Sequence, residues 1–393
     1  MEKVYLDKTV YQAARERLDY IFSEFDNIYV SFSGGKDSGL LLNLVLQYMA
    51  DRGVTRKLGL YPQDFEAQYA ATSDYVDRTF AAMPDRIERY WCCLPMAVRN
   101  AMSNYDPWWY PWDEDKRDLW VRPMPERPYV INTDNCPFDF YDPQMPPERV
   151  YDYFSRWYGA HCGGGRTVAL LGVRADESLN RYSSVINKRN GYNGVRWITR
   201  RRKNVYSAAP LYDWTTEDVW TANGKLGFAY NRLYDLYYKA GVPLTEMRVA
   251  SPFVEWAGAS LSLYRIIEPE TWARMAERVD GANFGAAYGS TKAMGYKAVS
   301  CPAGHTWKSY AMFLLSTLPK GIRQGYDAKI NASPAFAAAD DDGASWKRMC
   351  TCVLKNDCVC RFMNLGAAEQ RKTQSASIKA KYAAVIRGKE PPK

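Results

Sequence analysis

Histidine is scarce in this chain, which has only His161 and His305 among its 393 residues. A catalytic metal centre built from several histidines is therefore excluded, because such centres use two or three imidazole ligands. No hydrophobic run reaches the about 18 residues that a membrane span requires, and residues 1–8 lack the apolar core of a signal peptide. We therefore expect a cytoplasmic protein with no membrane partner.

The nine cysteines are an odd number, which favours free thiols or metal ligands over a disulfide framework. Adjacent Cys92 and Cys93 fall in an apolar run and are interpreted as core residues. Two C-x-C pairs follow near the C-terminus, at Cys350, Cys352, Cys358 and Cys360. Two interpretations of these four stay open: a Zn²⁺ or iron–sulfur site, or half-buried cysteines on a helix.

A strand–turn–helix pattern with a glycine-rich turn lies near the N-terminus. Residues 27–32 are typical of a buried strand and residues 39–49 of an apolar helix. The turn between them is Ser33-Gly34-Gly35-Lys36-Asp37-Ser38. Its glycines let the backbone approach an oxyanion, its hydroxyls and Lys36 can contact phosphate oxygens, and a helix N-terminus attracts anions. The turn predicts a phosphate loop without Walker spacing; an ordinary glycine turn is the alternative.

Further strands and helices alternate along the first half of the chain. Strands are predicted at 57–62, 87–94 and 167–173, and helices at 9–25, 66–83 and 148–158. This alternation predicts an α/β fold with a doubly wound, mostly parallel sheet. Ligands of such sheets bind beyond the carboxyl ends of the strands, so the phosphate loop, Asp64 and Arg174 are expected at one edge.

A second group of charged residues follows the strand at 167–173. Arg174 and Arg181 can each grip phosphate oxygens with two hydrogen bonds. Asp176 can orient these arginines or hold Mg²⁺ through water, and Asp37 in the first turn of its helix can touch the same ion. The alternative is a surface turn of paired charges.

Three motifs share their order and spacing with one protein family. They are residues 33–38, residues 172–178 together with Arg181, and residues 210–220. Over about residues 25–240 the chain resembles the phosphoadenosine phosphosulfate (PAPS) reductase family of the PP-loop adenine nucleotide α-hydrolase superfamily. Residues 61–69 and the long C-terminal region resemble the immunoglobulin-binding regulator A branch, co-activators of prophage gene expression. Some members of that branch pair with a ParB-like protein.

The resemblance implies an adenine nucleotide α-hydrolase-like fold in residues 1–225, interrupted by an aromatic, proline-rich insertion at about 104–147. We interpret that insertion as a lid or docking surface. Residues 226–393 are expected to be mainly helical, with the cysteine-rich segment at 350–360.

The resemblance also implies that the chain binds ATP or a PAPS-like adenine nucleotide with Mg²⁺ and splits the bond between the α- and β-phosphates. The implied nucleotide ligands are Ser33, Gly34, Gly35, Lys36, Asp37, Ser38, Asp64, Arg174 and Arg181. Lys36, Asp37 and Arg174 are the implied catalytic residues, and Asp37 and Asp176 the implied Mg²⁺ ligands. Two alternatives remain: a PAPS reductase, although the Glu-Cys-Gly-Leu-His string of those enzymes is missing, or a nucleotide-dependent regulator without enzymatic activity.

Positive charge is concentrated at Arg196–Lys203, which holds five of the chain's cations in eight residues. Gly191, Asn193 and Gly194 predict that this stretch is a loop leaving the nucleotide edge of the sheet. A cluster of this kind suits a polyanion, either nucleic acid or the phosphates of a bound nucleotide. A solvated loop is the alternative.

Overall fold

Two packing units divide the chain in the computed structural model. The first comprises Met1–Val98, Trp109–Pro252 and Leu263–Arg278, and the second Arg99–Trp108, Phe253–Ser262 and Val279–Lys393. Within them the structure describes residues 5–83, 85–103, 105–186, 191–249, 251–254, 258–283, 285, 299–337 and 339–365. The first unit therefore continues past residue 225. A boundary between independently folding domains at that residue stays a prediction.

Helices and strands alternate as far as residue 208, and helices follow. The elements up to that point are α1 (Val10–Glu24), β1 (Asn27–Ser31), α2 (Lys36–Asp51), β2 (Leu58–Tyr61), α3 (Ala70–Ala82), β3 (Ile87–Arg89), β4 (Trp91–Cys92), β5 (Val98–Arg99), β6 (Trp108–Trp109), a 3-10 helix (Glu114–Leu119), β7 (Val130–Ile131), α4 (Pro147–His161), β8 (Thr167–Leu171), α5 (Leu179–Ile186), β9 (Gly191–Tyr192), β10 (Val195–Arg202) and β11 (Val205–Ala208).

The described part of the chain after residue 208 is helical. Its elements are α6 (Thr216–Leu226), α7 (Leu233–Lys239), α8 (Gly258–Ile267), α9 (Pro269–Arg278), the helices Trp307–Ser316, Lys320–Ala332, Pro334–Ala337 and Ala344–Leu354, and a 3-10 turn at Arg361–Leu365. The expectation of a mainly helical C-terminal region is confirmed. None of the described helices combines the length and hydrophobicity that a membrane span requires.

The main sheet of the described residues has seven strands in the order β3-β2-β1-β8-β11-β10-β9. The pairs β1–β2, β1–β8, β2–β3 and β8–β11 are parallel, and β10 is antiparallel to both of its neighbours. Alternate residues of β1 face opposite layers, because side chains alternate across a strand. Ile28 and Val30 belong to the core that includes α1 and α2, and Tyr29 packs with Phe154 and Tyr158 of α4. The predicted doubly wound, mostly parallel sheet is confirmed.

The strand predicted at 87–94 is divided between two sheets. Its first part, β3, joins the main sheet, whereas β4 pairs in parallel with β7. The backbone amide of Cys93 also donates to the carbonyl of Ile131. The insertion at 104–147 thus supplies the partner strand, which a local sequence pattern cannot indicate.

Part of the insertion contributes to the hydrophobic interior, and its interpretation as a lid or docking surface stays a prediction. Trp109, Trp112 and Trp120 are all buried. Two amides of the insertion, those of Trp112 and Val121, donate to the carboxylate of Glu66 at 2.7 and 2.9 Å. These three tryptophans therefore fill the interior, whereas Trp108 is half-buried and Tyr105 is exposed.

Glu66 is fully buried and holds this network together. Its carboxylate lies 3.2 Å from Nε of Arg278, which is also buried and which donates to the carbonyl of Tyr110 at 2.6 Å. Burial raises the pKa of Glu66, while Arg278 and the amides of Val121 and Trp112 act in the opposite direction. A buried charge of this kind depends on every one of its partners.

The basic cluster is a strand, so its prediction as a loop is wrong. Asn193 and Gly194 both have positive φ, 48° and 77°, and form the tight turn of a hairpin between β9 and β10. Ile198 in β10 is fully buried, which anchors the strand against the core. The Asn-Gly pair between two apolar flanks was the sequence signal for this hairpin.

The register places the end of β10 at the opposite end of the sheet from the phosphate loop. Arg202 pairs with Val205, Val205 with Thr167, and Thr167 with Asn27, the first residue of β1. The phosphate loop follows Ser31, the last residue of that strand. The prediction that the cluster leaves the nucleotide edge is therefore wrong for Arg200–Lys203.

We predict that Glu66→Ala lowers the free energy of unfolding by about 3–5 kcal/mol, because it leaves Arg278 and two amides buried without their partner. Glu114→Ala, which removes a half-exposed carboxylate paired with Arg117 in the same insertion, is the matched control and should change stability by under about 1 kcal/mol. Urea unfolding followed by tryptophan fluorescence measures both. Equal stability of the two variants would contradict the role given to Glu66.

Candidate functional site

The phosphate loop is shaped by close contacts that require glycine. Gly34 has φ of 70°, and a Cβ at this position would lie 2.9 Å from Cγ2 of Thr72. Gly35 is the N-cap residue of α2 and has no side chain with which to cap the helix. The first amides of this 16-residue helix therefore depend on acceptors from other parts of the structure or from a ligand.

Ser33 and Ser38 bond to each other across the loop. Their hydroxyls are 3.0 Å apart, and the amide of Ser33 donates to the Ser38 hydroxyl at 3.2 Å. The Ser38 hydroxyl also donates to the carbonyl of Gly35 at 3.2 Å. In this arrangement the two side chains hold the loop in shape, in addition to the phosphate contacts that the sequence predicts for them.

Lys36 begins α2 and is buried, with its ammonium held inside the protein. Its Nζ donates to the carbonyl of Met247 at 3.1 Å and lies 3.2 Å from Oδ2 of Asp37. Its backbone amide donates to the hydroxyl of Tyr234 at 2.9 Å. The backbone amide and the ammonium group of Lys36 are thus both bonded to groups of the chain itself.

Arg174 lies against the loop, as the order of the strands predicts. It follows β8, which pairs in parallel with β1, and its Nε is 2.6 Å from Oδ1 of Asp37. Nη1 is 2.5 Å from Asp176, and Nη2 donates to the hydroxyl of Thr216 at 3.3 Å. Burial lowers the pKa of Arg174, but Asp37 and Asp176 outweigh this effect and raise it.

Gly172 sets how closely β8 approaches the loop. A Cβ at this position would lie 2.7 Å from both the carbonyl carbon of Asp37 and the amide nitrogen of Ser38. Contacts this short do not occur for real side chains, so the approach requires glycine. A helix cap lies nearby: the Thr215 hydroxyl accepts from the amide of Asp218, and Thr216 begins α6.

The two residues predicted to hold Mg²⁺ face cations. Asp37 contacts Lys36 and Arg174, and Asp176 contacts Arg174. Across the described ranges, no three His, Cys, Asp or Glu side chains come together as metal ligands do. Asp37 and Asp176 balance the charge of Arg174 in this structure, and their role as Mg²⁺ ligands stays a prediction.

Asp64 and Arg181, also predicted to contact the nucleotide, are placed differently. Asp64 is buried, with Arg122 2.5 Å from both carboxylate oxygens and Nε1 of Trp91 2.9 Å from one of them. It therefore anchors the insertion. Arg181 is exposed, and its Nε lies 3.9 Å from Glu177.

Five of the nine cysteines are buried, namely Cys92, Cys93, Cys350, Cys352 and Cys360. Cys92 and Cys93 are fully buried, which confirms their interpretation as core residues, and burial raises the pKa of both thiols. Burial also raises the pKa of Cys350 to about 12.

The cysteine-rich segment at 350–360 is not arranged as a four-thiolate metal site in the described residues. Cys350 and Cys352 lie two residues apart on one helix, so their side chains point in different directions. Cys352 and Cys360 instead share a hydrogen bond between their free thiol groups, which raises the pKa of Cys352 and lowers that of Cys360.

Asn231, Tyr234 and Met247 contact the loop, and sequence reasoning did not single them out. They come from the chain about 200 residues after the loop. Tyrosines are frequent here, with 30 in the chain, so no local signal distinguishes Tyr234 from its neighbours.

Comparison with known proteins identifies the family. Residues 155–241 match the phosphoadenosine phosphosulfate reductase domain, and residues 241–344 and 339–374 match a domain of unknown function, DUF3440. The chain is 33% identical over 393 residues to the uncharacterized protein YbdN of Escherichia coli, covering 95% of this chain and 94% of the relative. The chain belongs to the YbdN family. The match over residues 155–241 supports the resemblance to PAPS reductases at a coarser level. Residues 33–38 resemble the PP-loop of that superfamily, and we use this name for them.

Solved structures of similar fold include three of different activity. PAPS reductase from Candida auris has a TM-score of 0.30 at 12% identity, covering 60% of this chain and 94% of that one. FMN adenylyltransferase from Candida glabrata, in complex with FAD and pyrophosphate, has a TM-score of 0.35 at 12% identity, covering 59% of this chain and 64% of that one. The U34-tRNA thiolase NcsA from Methanococcus maripaludis, with its [4Fe-4S] cluster, has a TM-score of 0.33 at 11% identity, covering 71% of this chain and 79% of that one. At these values the comparisons assign no chemistry to this chain.

We predict that Gly172→Ala destabilises the protein by about 1–3 kcal/mol, because the added methyl group overlaps the backbone of α2. Gly224→Ala is the control, since Gly224 lies on α6 and a Cβ there meets nothing within 4 Å. That change should be neutral or stabilise by up to about 1 kcal/mol. Thermal unfolding compares the two, and an unchanged melting temperature for Gly172→Ala would contradict the packing described for β8.

Proposed function

We propose that this protein binds ATP or a related adenine nucleotide at the PP-loop, with the pyrophosphate end of the nucleotide at the start of α2. The observation that supports this most strongly is the combination of a helix N-terminus whose N-cap residue, Gly35, has no capping side chain with two buried cations, Lys36 and Arg174. Each cation is balanced by Asp37 in the structure. A polyphosphate brings several negative charges and competes for both cations.

The chemistry that we propose is displacement at the α-phosphorus. An oxygen nucleophile of an acceptor forms a bond to the α-phosphorus, the bond from that phosphorus to the bridging oxygen breaks, and pyrophosphate leaves with the electron pair. Lys36, Arg174 and the amides of the loop neutralise the charge that develops, which is the main protein contribution to phosphoryl and nucleotidyl transfer. Asp37 keeps Lys36 and Arg174 oriented. Asp37 and Asp176 would be the carboxylates that hold Mg²⁺ beside the phosphates, where the ion would neutralise further negative charge.

A sulfonucleotide reductase is the weaker candidate. The domain match over residues 155–241 supports it. However, such a reaction needs a nucleophilic thiolate, and the Glu-Cys-Gly-Leu-His string is absent from the sequence. The C-terminal Cys350 and Cys352 are buried, with raised pKa values.

The arginine-rich strand β10 favours a second function, the binding of nucleic acid. Arg200, Arg201, Arg202 and Lys203 are exposed. The ring of Tyr153 on α4 has Arg149, Arg156 and Arg202 within 5.9 Å of its centroid. We propose that this surface binds nucleic acid through phosphate contacts and base stacking. The alternative explanation for this charge is that the arginines prevent the edge of the sheet from pairing with other chains and aggregating. A nucleotide-dependent regulator, with a ParB-like partner as in the regulator A branch, would use both sites.

We predict that Lys36→Ala weakens ATP binding about ten- to a hundredfold, the loss expected for one charged phosphate contact. Lys57→Ala, which removes an equal charge at the exposed residue before β2, should bind as the wild type does. Isothermal calorimetry measures affinity, and a pyrophosphate assay then separates an enzyme from a binding protein. Equal affinity of both variants would exclude the loop as the nucleotide site.

We predict that replacing Arg200, Arg201 and Arg202 with alanine weakens the salt dependence of nucleic-acid binding and leaves ATP affinity unchanged. The slope of the logarithm of the binding constant against the logarithm of the salt concentration should fall in magnitude by up to about three. The physical reason is that each phosphate neutralised by an arginine releases counterions. A charge-matched control replaces Lys57, Arg78 and Lys225, which are exposed on separate elements. Fluorescence anisotropy with a single-stranded oligonucleotide at several salt concentrations measures the slopes. Equal slopes for both triple variants would remove the basis for this surface.

A further inference from the structure

The PP-loop is covered by a later part of the same chain. Three contacts hold it: the Lys36 amide donates to the hydroxyl of Tyr234, Lys36 Nζ donates to the carbonyl of Met247, and Nδ2 of Asn231 donates to the carbonyl of Gly34 at 2.9 Å. All three partners lie within residues 231–249, which we name the closing segment. Nδ2 of Asn231 also donates to Thr72 at 2.9 Å, so the segment is fixed to the wall of the loop as well.

Tyr234 occupies the position that an anionic oxygen would take. Its hydroxyl is 2.9 Å from the Lys36 amide nitrogen, the distance at which a phosphate oxygen accepts from an amide. A Cβ at Gly35 would lie only 3.3 Å from the same hydroxyl. The Tyr234 side chain is buried. A phosphate oxygen and the Tyr234 hydroxyl therefore cannot share this amide.

We propose that the closing segment competes with nucleotide phosphate for the PP-loop, with the Tyr234 hydroxyl and the Met247 carbonyl standing in for phosphate oxygens. This inference rests on the proposed nucleotide binding at the same loop. Nucleotide binds the form in which the segment has moved away, and its apparent affinity is reduced by the fraction of molecules in that form. The segment thus sets the nucleotide concentration at which the site fills.

The chemistry of the competing groups favours exchange. Burial raises the pKa of Tyr234 well above its usual value, and Asp37 acts in the same direction, so the hydroxyl is neutral. A neutral acceptor bonds an amide less strongly than an ionised phosphate oxygen does. The carbonyl of Met247 is likewise a neutral partner for the charged Lys36. Phosphate oxygens improve both contacts, which gives nucleotide the advantage needed to displace the segment.

Tyr234→Phe tests this competition, with Tyr230→Phe as the matched control. Both rings pack edge-on against Trp220, with centroids 5.3 and 5.4 Å from it. The Tyr230 hydroxyl instead donates to Asp235 at 2.8 Å. Each variant therefore loses one hydroxyl from a tyrosine that packs on Trp220, Tyr230 lying just before the closing segment and Tyr234 within it. Only Tyr234→Phe frees the amide of the loop.

Calorimetric titration with ATP and with inorganic pyrophosphate gives the result. We expect Tyr234→Phe to bind both probes about 2- to 10-fold more tightly than the wild type, which is the effect of removing one hydrogen bond from the closed form. Tyr230→Phe should match the wild type. Hydrogen exchange should also be faster in residues 231–249 of the wild type once ATP is bound.

The possible contrary results separate two failures. Weaker or unchanged binding by Tyr234→Phe, with normal binding by the wild type, overturns the competition and leaves the proposed nucleotide site intact. Weaker binding would make the hydroxyl a ligand of the nucleotide. No binding of ATP or pyrophosphate by the wild type or either variant overturns the proposed function and this inference together.

Discussion

The parallel pairing of β1 with β8 is the interaction on which the candidate site depends. It brings the ends of both strands to the same edge, where Ser31 pairs with Leu171. Gly172 then passes within contact distance of the α2 backbone, and Arg174 reaches Asp37. The loop, the helix N-terminus and the arginine are therefore positioned by one strand pair. A side chain at Gly172 would separate them, although each residue taken alone would still be present.

Paired charges are a recurring feature of the first unit's interior. Arg174 is matched by Asp37 and Asp176, Arg278 by Glu66, and Arg122 by Asp64. The last two pairs fasten the aromatic insertion, and buried pairs of this kind make the loss of one partner strongly destabilising. The charges at the loop form a larger group, in which Lys36 and Arg174 are balanced within the chain by Asp37 and Asp176.

Much of the fold followed from local patterns, and the site followed from strand order. The β1–loop–α2 unit, the helices α1, α3 and α4, and the Thr215 cap all have signals within a few residues of themselves. Arg174 could be placed because parallel strands end at one edge. Contacts over long sequence distances could not be predicted. Asp64 was expected at the nucleotide, but Arg122 reaches it from the insertion, and Tyr234 reaches the loop from 198 residues away. The basic strand was missed because charge was weighed more heavily than the Asn-Gly turn.

The central claim is that the amide end of α2, together with Lys36 and Arg174, receives the phosphates of an adenine nucleotide. A crystal structure of the protein with a non-hydrolysable ATP analogue tests it most directly. The account predicts that the β- and γ-phosphates accept hydrogen bonds from the amides of the loop, with Lys36 bonded to phosphate and no longer to the carbonyl of Met247. Phosphates bound elsewhere, with the amide of Lys36 still bonded to Tyr234, would contradict it.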